Sequence, residues 1–225
     1  MSRAGEWLLD LLFPPKCPFC RGLVELDGMV CGACLRDLPR RKNQRVTVPL
    51  AEEAIAPFAY EGVVRDALRR FKFGGLPGYA RSLAPLLAGP VRETFGGRDL
   101  ILSFVPVSRR RRGSRGYDQA ELLARAVGAV LGWEVVPTLV KVRNNPPQSG
   151  QKSSAARRGN VSGVYRVTDP ERVAGKSILI LDDIVTTGAT FSECVLTLRA
   201  AGAQRVFCAA FAHGEPGRKT ELPEH

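Results

Sequence analysis

The chain has 225 residues, 44% of them hydrophobic and 24% charged. That composition suits one α/β domain plus a small module and excludes a disordered chain, a collagen or a coiled coil. Thirty-three Lys and Arg against 22 Asp and Glu give a net charge of +11, which favours polyanions, phosphorylated ligands or acidic membrane surfaces as partners. Aromatic residues are only 7% of the chain, so a surface paved with base-stacking rings is not expected.

The most apolar N-terminal stretch runs from Trp7 to Phe13. Asp10 interrupts it, and Pro14, Pro15 and Lys16 follow. A membrane helix needs about 20 apolar residues, and a signal peptide needs a longer apolar core and a small-residue cleavage site. The stretch reads as a short amphipathic helix docked on the body of a cytoplasmic protein with no membrane span.

Two C-x-x-C pairs come next, Cys17 with Cys20 and Cys31 with Cys34. Each pair can turn two sulfurs toward one point, and two such knuckles give the tetrahedral S4 set that suits a structural Zn²⁺. An iron–sulfur cluster or a redox pair is the alternative. The intervening Arg21 to Val30 is long enough for a β-hairpin. The two remaining cysteines, Cys194 and Cys208, fall in apolar patterns and read as core residues. Residues 1–45 are thus expected to form an N-terminal helix, a four-cysteine module and a basic linker, Pro39 to Arg45. Residues 46–213 form the main domain, and residues 214–225 a polar tail.

In the main domain, Ala54 to Tyr60 is a plausible strand. Val63, Val64, Ala67, Leu68 and Phe71 keep one helical face apolar, and Gly74-Gly75 stops that helix. Leu100 to Val107 is a mostly apolar run, as in a buried parallel strand. Ser108 to Arg115 then places five arginines in eight positions: Arg109, Arg110, Arg111, Arg112 and Arg115. A segment just after a strand lies on the rim where α/β proteins bind ligands. Guanidinium groups in this number suit a phosphodiester backbone, and Arg40, Arg41, Lys42, Arg45, Arg65, Arg69, Arg70 and Lys72 extend the basic surface; a solvated basic face is the plainer alternative. Tyr117 to Leu131 reads as a helix stopped by Gly132, Glu134 to Val142 as a strand, and Asn144 to Asn160 as a closing loop. Ser177 to Leu181 is the purest β run. Thr190 to Ala201 is a helix stopped by Gly202, and Arg205 to Ala212 the last strand. The alternation predicts an α/β fold with a mainly parallel sheet.

The most informative stretch is Leu181-Asp182-Asp183-Ile184-Val185-Thr186-Thr187-Gly188-Ala189-Thr190. An apolar strand leads into two adjacent carboxylates and then a turn of small residues that opens a helix. Successive backbone N–H groups, hydroxyls and a glycine make an anion nest at a helix N-terminus. The carboxylates suit the hydroxyls of a sugar, so the combination indicates a phosphorylated ribose. It is not a Walker loop, which requires G-x-x-x-x-G-K-[ST].

This stretch resembles the PRPP-binding signature of type I phosphoribosyltransferases. With the double C-x-x-C after Leu12-Phe13-Pro14-Pro15, the chain resembles the ComF family of competence proteins. Lys72-Phe73-Gly74-Gly75, Val105-Pro106-Val107 with the arginines, Arg115-Gly116-Tyr117-Asp118-Gln119-Ala120, and Gln148 to Val161 resemble further motifs of that family, which usually carries Asn where Asp118 stands. The resemblance implies a type I phosphoribosyltransferase-like fold behind a zinc-ribbon module. It implies that Asp182 and Asp183 hold the ribose hydroxyls directly or through Mg²⁺, that Thr186, Thr187, Gly188, Ala189 and Thr190 cradle the 5-phosphate, and that Arg109 faces pyrophosphate. Arg110, Arg111, Arg112, Arg115 and Lys72 are the candidate nucleic-acid contacts.

Two functions follow as expectations. One is an accessory factor for DNA uptake in natural transformation that binds single-stranded DNA, PRPP or both and works with a competence helicase. The other is an active Mg²⁺-dependent phosphoribosyltransferase with an unidentified acceptor. A redox or metal-responsive protein is a weaker third.

Overall fold

A computed structural model describes residues 15–24, 28–143 and 163–215. The expected N-terminal helix at Trp7 to Phe13, the whole of the loop from Asn144 to Asn160 and most of the polar tail lie outside the described residues, as does the centre of the expected Arg21 to Val30 hairpin.

The described elements, in chain order, are α1 (Gly32–Asp37), β1 (Ala54–Ile55), β2 (Phe58–Ala59), α2 (Gly62–Phe73), α3 (Tyr79–Phe95), β3 (Ile101–Phe104), α4 (Arg109–Arg115), α5 (Gln119–Leu131), β4 (Leu139–Lys141), β5 (Tyr165–Val167), β6 (Ser177–Val185), α6 (Ala189–Ala200) and β7 (Arg205–His213). The main sheet is parallel, with β7 between β6 and the short β1 and β2, and β3 beyond β6. β4 and β5 form a separate antiparallel pair.

Helices cover both faces of the sheet. Leu179 and Leu181 of β6 pack with Phe207, Ala209 and Phe211 of β7 against α2, α3 and α5. Ile178 and Ile180 pack with Val206, Cys208 and Ala210 against α6 and β5. This is the period-two alternation of a strand buried on both faces. Cys194 and Cys208 are fully buried in the second cluster, as their apolar settings predict.

Several boundaries move for physical reasons. The strand expected over Ala54 to Tyr60 is split at Pro57, which has no N–H to offer a ladder. The one expected over Glu134 to Val142 reduces to a bridge between Val135 and Leu102, then β4, with Pro137 between them. The basic linker is not free: Arg40 bridges Phe58, Arg45 bridges Ile55, and the Arg41 guanidinium donates to the Ala56 carbonyl at 3.0 Å. The arginine segment folds as the short helix α4. The 17-residue α3 lies between Gly75 and Leu100, where the sequence assigns nothing. Ala80, Leu83, Ala84, Leu87, Ala88, Val91 and Phe95 form its buried stripe. Pro85 is exposed and Pro90 half-buried, off that stripe, and Gly89 spares the residue before Pro90 a Cβ clash.

Close backbone approach fixes one helix glycine. A Cβ on Gly128 of α5 would stand 2.5 Å from Val135 Cγ2 and 2.8 Å from the Trp133 carbonyl oxygen. Gly113 of α4 faces open space. Gly128→Ala is expected to cost about 1–3 kcal/mol by overpacking, and Gly113→Ala to stabilise by about 0.5–1 kcal/mol through helix propensity. Thermal melts of the two variants should therefore move in opposite directions.

Candidate functional site

The four N-terminal cysteines converge. Their Sγ atoms all lie within 4.8 Å of one another, and Cys20 and Cys31 are 3.7 Å apart. Zn–S bonds of about 2.3 Å in a tetrahedron give an S···S edge of about 3.8 Å, so the donor set fits Zn²⁺. None of the cysteines is in a disulfide. The Gly22 amide donates to Cys20 Sγ and the Cys34 amide to Cys31 Sγ, both at 3.4 Å, which are the outer hydrogen bonds that orient ligating sulfurs. Burial pushes the Cys17 thiol up, but amides of Cys20, Cys31 and Phe19 outweigh it and bring it to about 7. The knuckle is set into the body of the protein. Cys17, Phe19 and Cys34 belong to the same buried cluster as Leu68 and Phe71 of α2, and Arg70 Nη2 donates to the carbonyls of Pro18 at 2.8 Å and Phe19 at 2.9 Å.

Two residues beyond Arg70, α2 delivers Lys72 to the carboxyl edge of the sheet. Its ammonium lies 2.7 Å from Asp183 Oδ2, with 20% of the lysine side chain and 2% of the aspartate exposed. The expected strand end at Leu181 is passed, because β6 continues to Val185: Asp182 is in register with Ala210 and Val185 with His213. Both carboxylates therefore sit within a strand, and alternation starts them from opposite faces, yet at the strand's end their side chains stay close enough to hydrogen-bond each other and for both to act on Lys72. Asp183 follows Leu179 and Leu181 toward α2, which is why it meets Lys72. Asp182 follows Ile178 and Ile180, and its Oδ1 accepts the Asp183 amide at 2.8 Å. Burial first, and the Asp183 charge second, hold the Asp182 carboxyl well above the usual carboxylate range. Burial alone would lower the Lys72 ammonium, but Asp183 and Asp182 reverse this and raise it. Lys72, expected among the nucleic-acid contacts, is thus placed with the acidic pair. The donor set also suits Mg²⁺, which takes one or two carboxylates and completes its shell with water or ligand oxygens.

The turn after β6 has Thr186, Thr187, Ala189 and Thr190 exposed and Gly188 buried. Gly188 has φ 74 and caps α6, and a Cβ there would stand 3.2 Å from the Thr47 carbonyl oxygen. That combination demands glycine. The cap residue Gly188 offers no side chain, and among the side chains only the Thr187 hydroxyl reaches the first turn, accepting from the Ala189 amide at a long 3.4 Å, so the amides of the turn are available to an anion.

On the neighbouring strand, β3 leads into α4. Ser108 caps it, and four arginines fill its first four helical positions with no acidic residue among them. Cations at this pole oppose the helix dipole by about 0.3–1 kcal/mol each, so the sequence there does not serve the helix's own stability. Arg112 pairs with Glu121 at 3.3 Å. Arg115 bonds Gln119 at 3.0 Å and lies 4.7 Å above the Phe73 ring. Arg109 and Arg110 line a cleft of about 300 Å³. Asp118, where the family usually has Asn, is 4% exposed. Its oxygens accept from the amides of Val107 at 2.8 Å, Ala120 at 3.0 Å and Glu121 at 3.2 Å. It caps α5 and pins the end of the β3 segment. The Tyr117 hydroxyl donates to the Phe71 carbonyl, tying the same corner to α2.

A larger cleft, about 800 Å³, opens between the zinc module and the sheet edge. Asp37 and Arg41 form one wall, Tyr60 and Glu61 another, and Thr186 and His213 lie at the sheet end. Sequence reasoning missed it because its walls come from four separate segments with no shared motif.

Two outcomes test this geometry. Arg70→Ala removes charge-assisted hydrogen bonds of about 1.5–3 kcal/mol in total effect, so it should lower the melting temperature and speed release of zinc to a colorimetric chelator. Asp182 is raised in the folded state, so its contribution to stability is full at low pH and is lost as pH rises through its folded pKa. Asp182→Asn is expected to raise the melting temperature by about 2–4 °C at pH 8, with the gain vanishing near pH 4.

Sequence comparison agrees with the geometry. Residues 8–55 match the double zinc ribbon domain and residues 114–225 the phosphoribosyl transferase domain. Competence protein F of Haemophilus influenzae is 27% identical over 198 residues, covering 85% of this chain and 82% of that one. DNA utilization protein YhgH of Salmonella typhimurium is 30% identical over 197 residues, covering 84% and 80%. Competence protein ComFC of Bacillus subtilis is 26% identical over 211 residues, covering 87% and 85%. With its ribbon cysteines gathered at one point and its transferase turn at the sheet edge, the chain belongs to the ComF family of competence and DNA-utilization proteins.

Proposed function

We propose that this protein is an accessory factor for DNA uptake and use that binds a phosphorylated ribose, with PRPP as the reference ligand, at the carboxyl edge of its sheet. The observation that carries the reading is the apposition of the Lys72–Asp183 ion pair and Asp182 with the Gly188 turn at the N-terminus of α6. The turn offers main-chain amides to a terminal phosphate, and the carboxylates accept from ribose hydroxyls, directly or through Mg²⁺ held by Asp182 and Asp183. The positive rim of α4 supports the second half of the reading, single-stranded DNA held by its backbone, and the curated relatives are named for competence and DNA utilization. A competence helicase is the partner that this role calls for, in the cytoplasm where incoming strands arrive.

The 800 Å³ cleft beside Thr186 favours a second reading, an active phosphoribosyltransferase. An acceptor seated there would lie next to the phosphate turn, between the zinc module and the sheet, with Tyr60 and His213 as neighbours. Here the chain's residues would orient the ribose and shield the reacting carbon from water, while Mg²⁺, when bound, would neutralise the departing diphosphate.

Isothermal calorimetry with PRPP, with and without Mg²⁺, tests the shared site. Wild type is expected to release heat on binding and Asp182→Asn/Asp183→Asn to release none; absence of heat in the wild type rejects the ribose site. Pyrophosphate release with candidate acceptors separates turnover from binding alone.

A further inference from the structure

The cleft beside α4 is a second cationic feature, assembled from residues far apart in the chain. Eight residues line it: Ser108, Arg109 and Arg110 on one wall, and Val140, Lys141, Val142, Arg143 and Arg166 on the wall of the β4–β5 pair. Five of the eight are Lys or Arg and none is acidic. Arg109, Arg110, Arg143 and Arg166 are exposed and make no ion pair among the described residues. The nearest acidic side chain on α5, Glu121, is already taken by Arg112 and Arg125. Lys141 is half-buried over the Tyr165 ring, which holds its ammonium at the cleft.

We propose that this cleft is the track for the phosphodiester backbone of a single DNA strand, with Arg109 and Arg110 on one side and Lys141, Arg143 and Arg166 on the other. The proposal rests on the DNA-handling reading above and gives it a location. Five like charges repel one another; only Lys141 feels carboxylates, those of Glu193 and Asp182 outside the lining, and no lining carboxylate offsets the arginines, so the folded protein gains from an anion laid between the walls. A single diphosphate neutralises only part of that charge, whereas successive phosphates along a strand match cations on facing walls. The cleft is also too small to admit a duplex. Its two apolar members, Val140 and Val142, offer no stacking face, so the grip is on the backbone and independent of sequence. Of the other expected contacts, Lys72 is committed to Asp183, Arg112 to Glu121, and Arg115 to Gln119 and Phe73, while Arg111 is exposed on α4 outside the cleft lining.

The test is fluorescence anisotropy of the full chain with a labelled thymidine oligomer across a series of KCl concentrations. The cleft variant is Arg110→Ala/Arg166→Ala, one residue from each wall. The matched control is Lys176→Ala/Arg205→Ala, two exposed cations at the opposite end of β6 and β7. The cleft variant is expected to lose affinity roughly tenfold or more and to flatten the slope of log K against log[salt] by about 1.4, two single-strand phosphate contacts. The control should bind as wild type does. Arg166→Gln alone should show half the slope change, and melting curves of all variants should overlay wild type. Equal losses in cleft variant and control overturn the track and leave DNA binding as diffuse attraction. Unchanged binding by the cleft variant, with its PRPP calorimetric heat abolished, assigns the cleft to the diphosphate and overturns the proposal while the ribose site stands. Failure of wild type to bind the oligomer at any salt removes the DNA-handling reading and the track together.

Discussion

The Lys72 ammonium, 2.7 Å from a nearly buried Asp183, is the contact around which the site is arranged. A carboxylate shut away from water without a partner is strongly destabilising, so α2 must end where its lysine reaches β6. Arg70 on the same helix grips the first zinc knuckle through the carbonyls of Pro18 and Phe19. One helical segment therefore ties the metal-binding module to the acidic pair, and a shift at either end is felt at the other. The Tyr117 hydroxyl on the Phe71 carbonyl brings the arginine-bearing corner into the same arrangement.

The electrostatics divide along the sheet edge. Asp182 and Asp183 make a small acidic centre with Lys72 as its counter-charge, and α4 with the β4–β5 pair surrounds one flank with cations, of which Arg109, Arg110, Arg143 and Arg166 make no ion pair among the described residues. Each half is unfavourable alone: burial and the neighbouring Asp183 charge push the Asp182 carboxyl above the usual carboxylate range, and the arginines oppose their own helix dipole. Protein stability does not explain either feature, and the proposed ligand, with hydroxyls toward the acids and phosphates toward the cations, would relieve both.

Much of this was readable in the sequence where chemistry is local. The C-x-x-C pairs, the apolar run of β6 and the small-residue turn each carry their meaning within a few positions. The Lys72–Asp183 pair was not readable, because its partners belong to different elements and only the alternation along β6 decides which carboxylate faces α2. The end of β6 was misplaced for a related reason. Aspartates are poor strand formers, yet pairing with Ala210, Ala212 and His213 carries the strand through them. The prolines of α3 hid a helix whose buried stripe they do not touch. Lys141 and Arg166 are isolated charges on two short strands, and Arg143 follows the first of them; they gain significance only when the antiparallel pair brings them opposite α4.

The strand order also bears on how the protein is made. β1 and β2 take all of their main-sheet pairing from β7, with Ala54 beside Cys208 and Phe58 beside Ala212. On the ribosome, the cysteines emerge early and can capture metal while the rest is still being synthesised. The residues just behind them have no sheet to join until the last described strand leaves the exit tunnel. Closing so long a loop is slow and leaves apolar edges uncovered meanwhile. An early-formed metal knuckle gives the nascent chain one ordered end to wait with, and a chain cut short before β7 would leave β1 and β2 without a partner for their main-sheet edge.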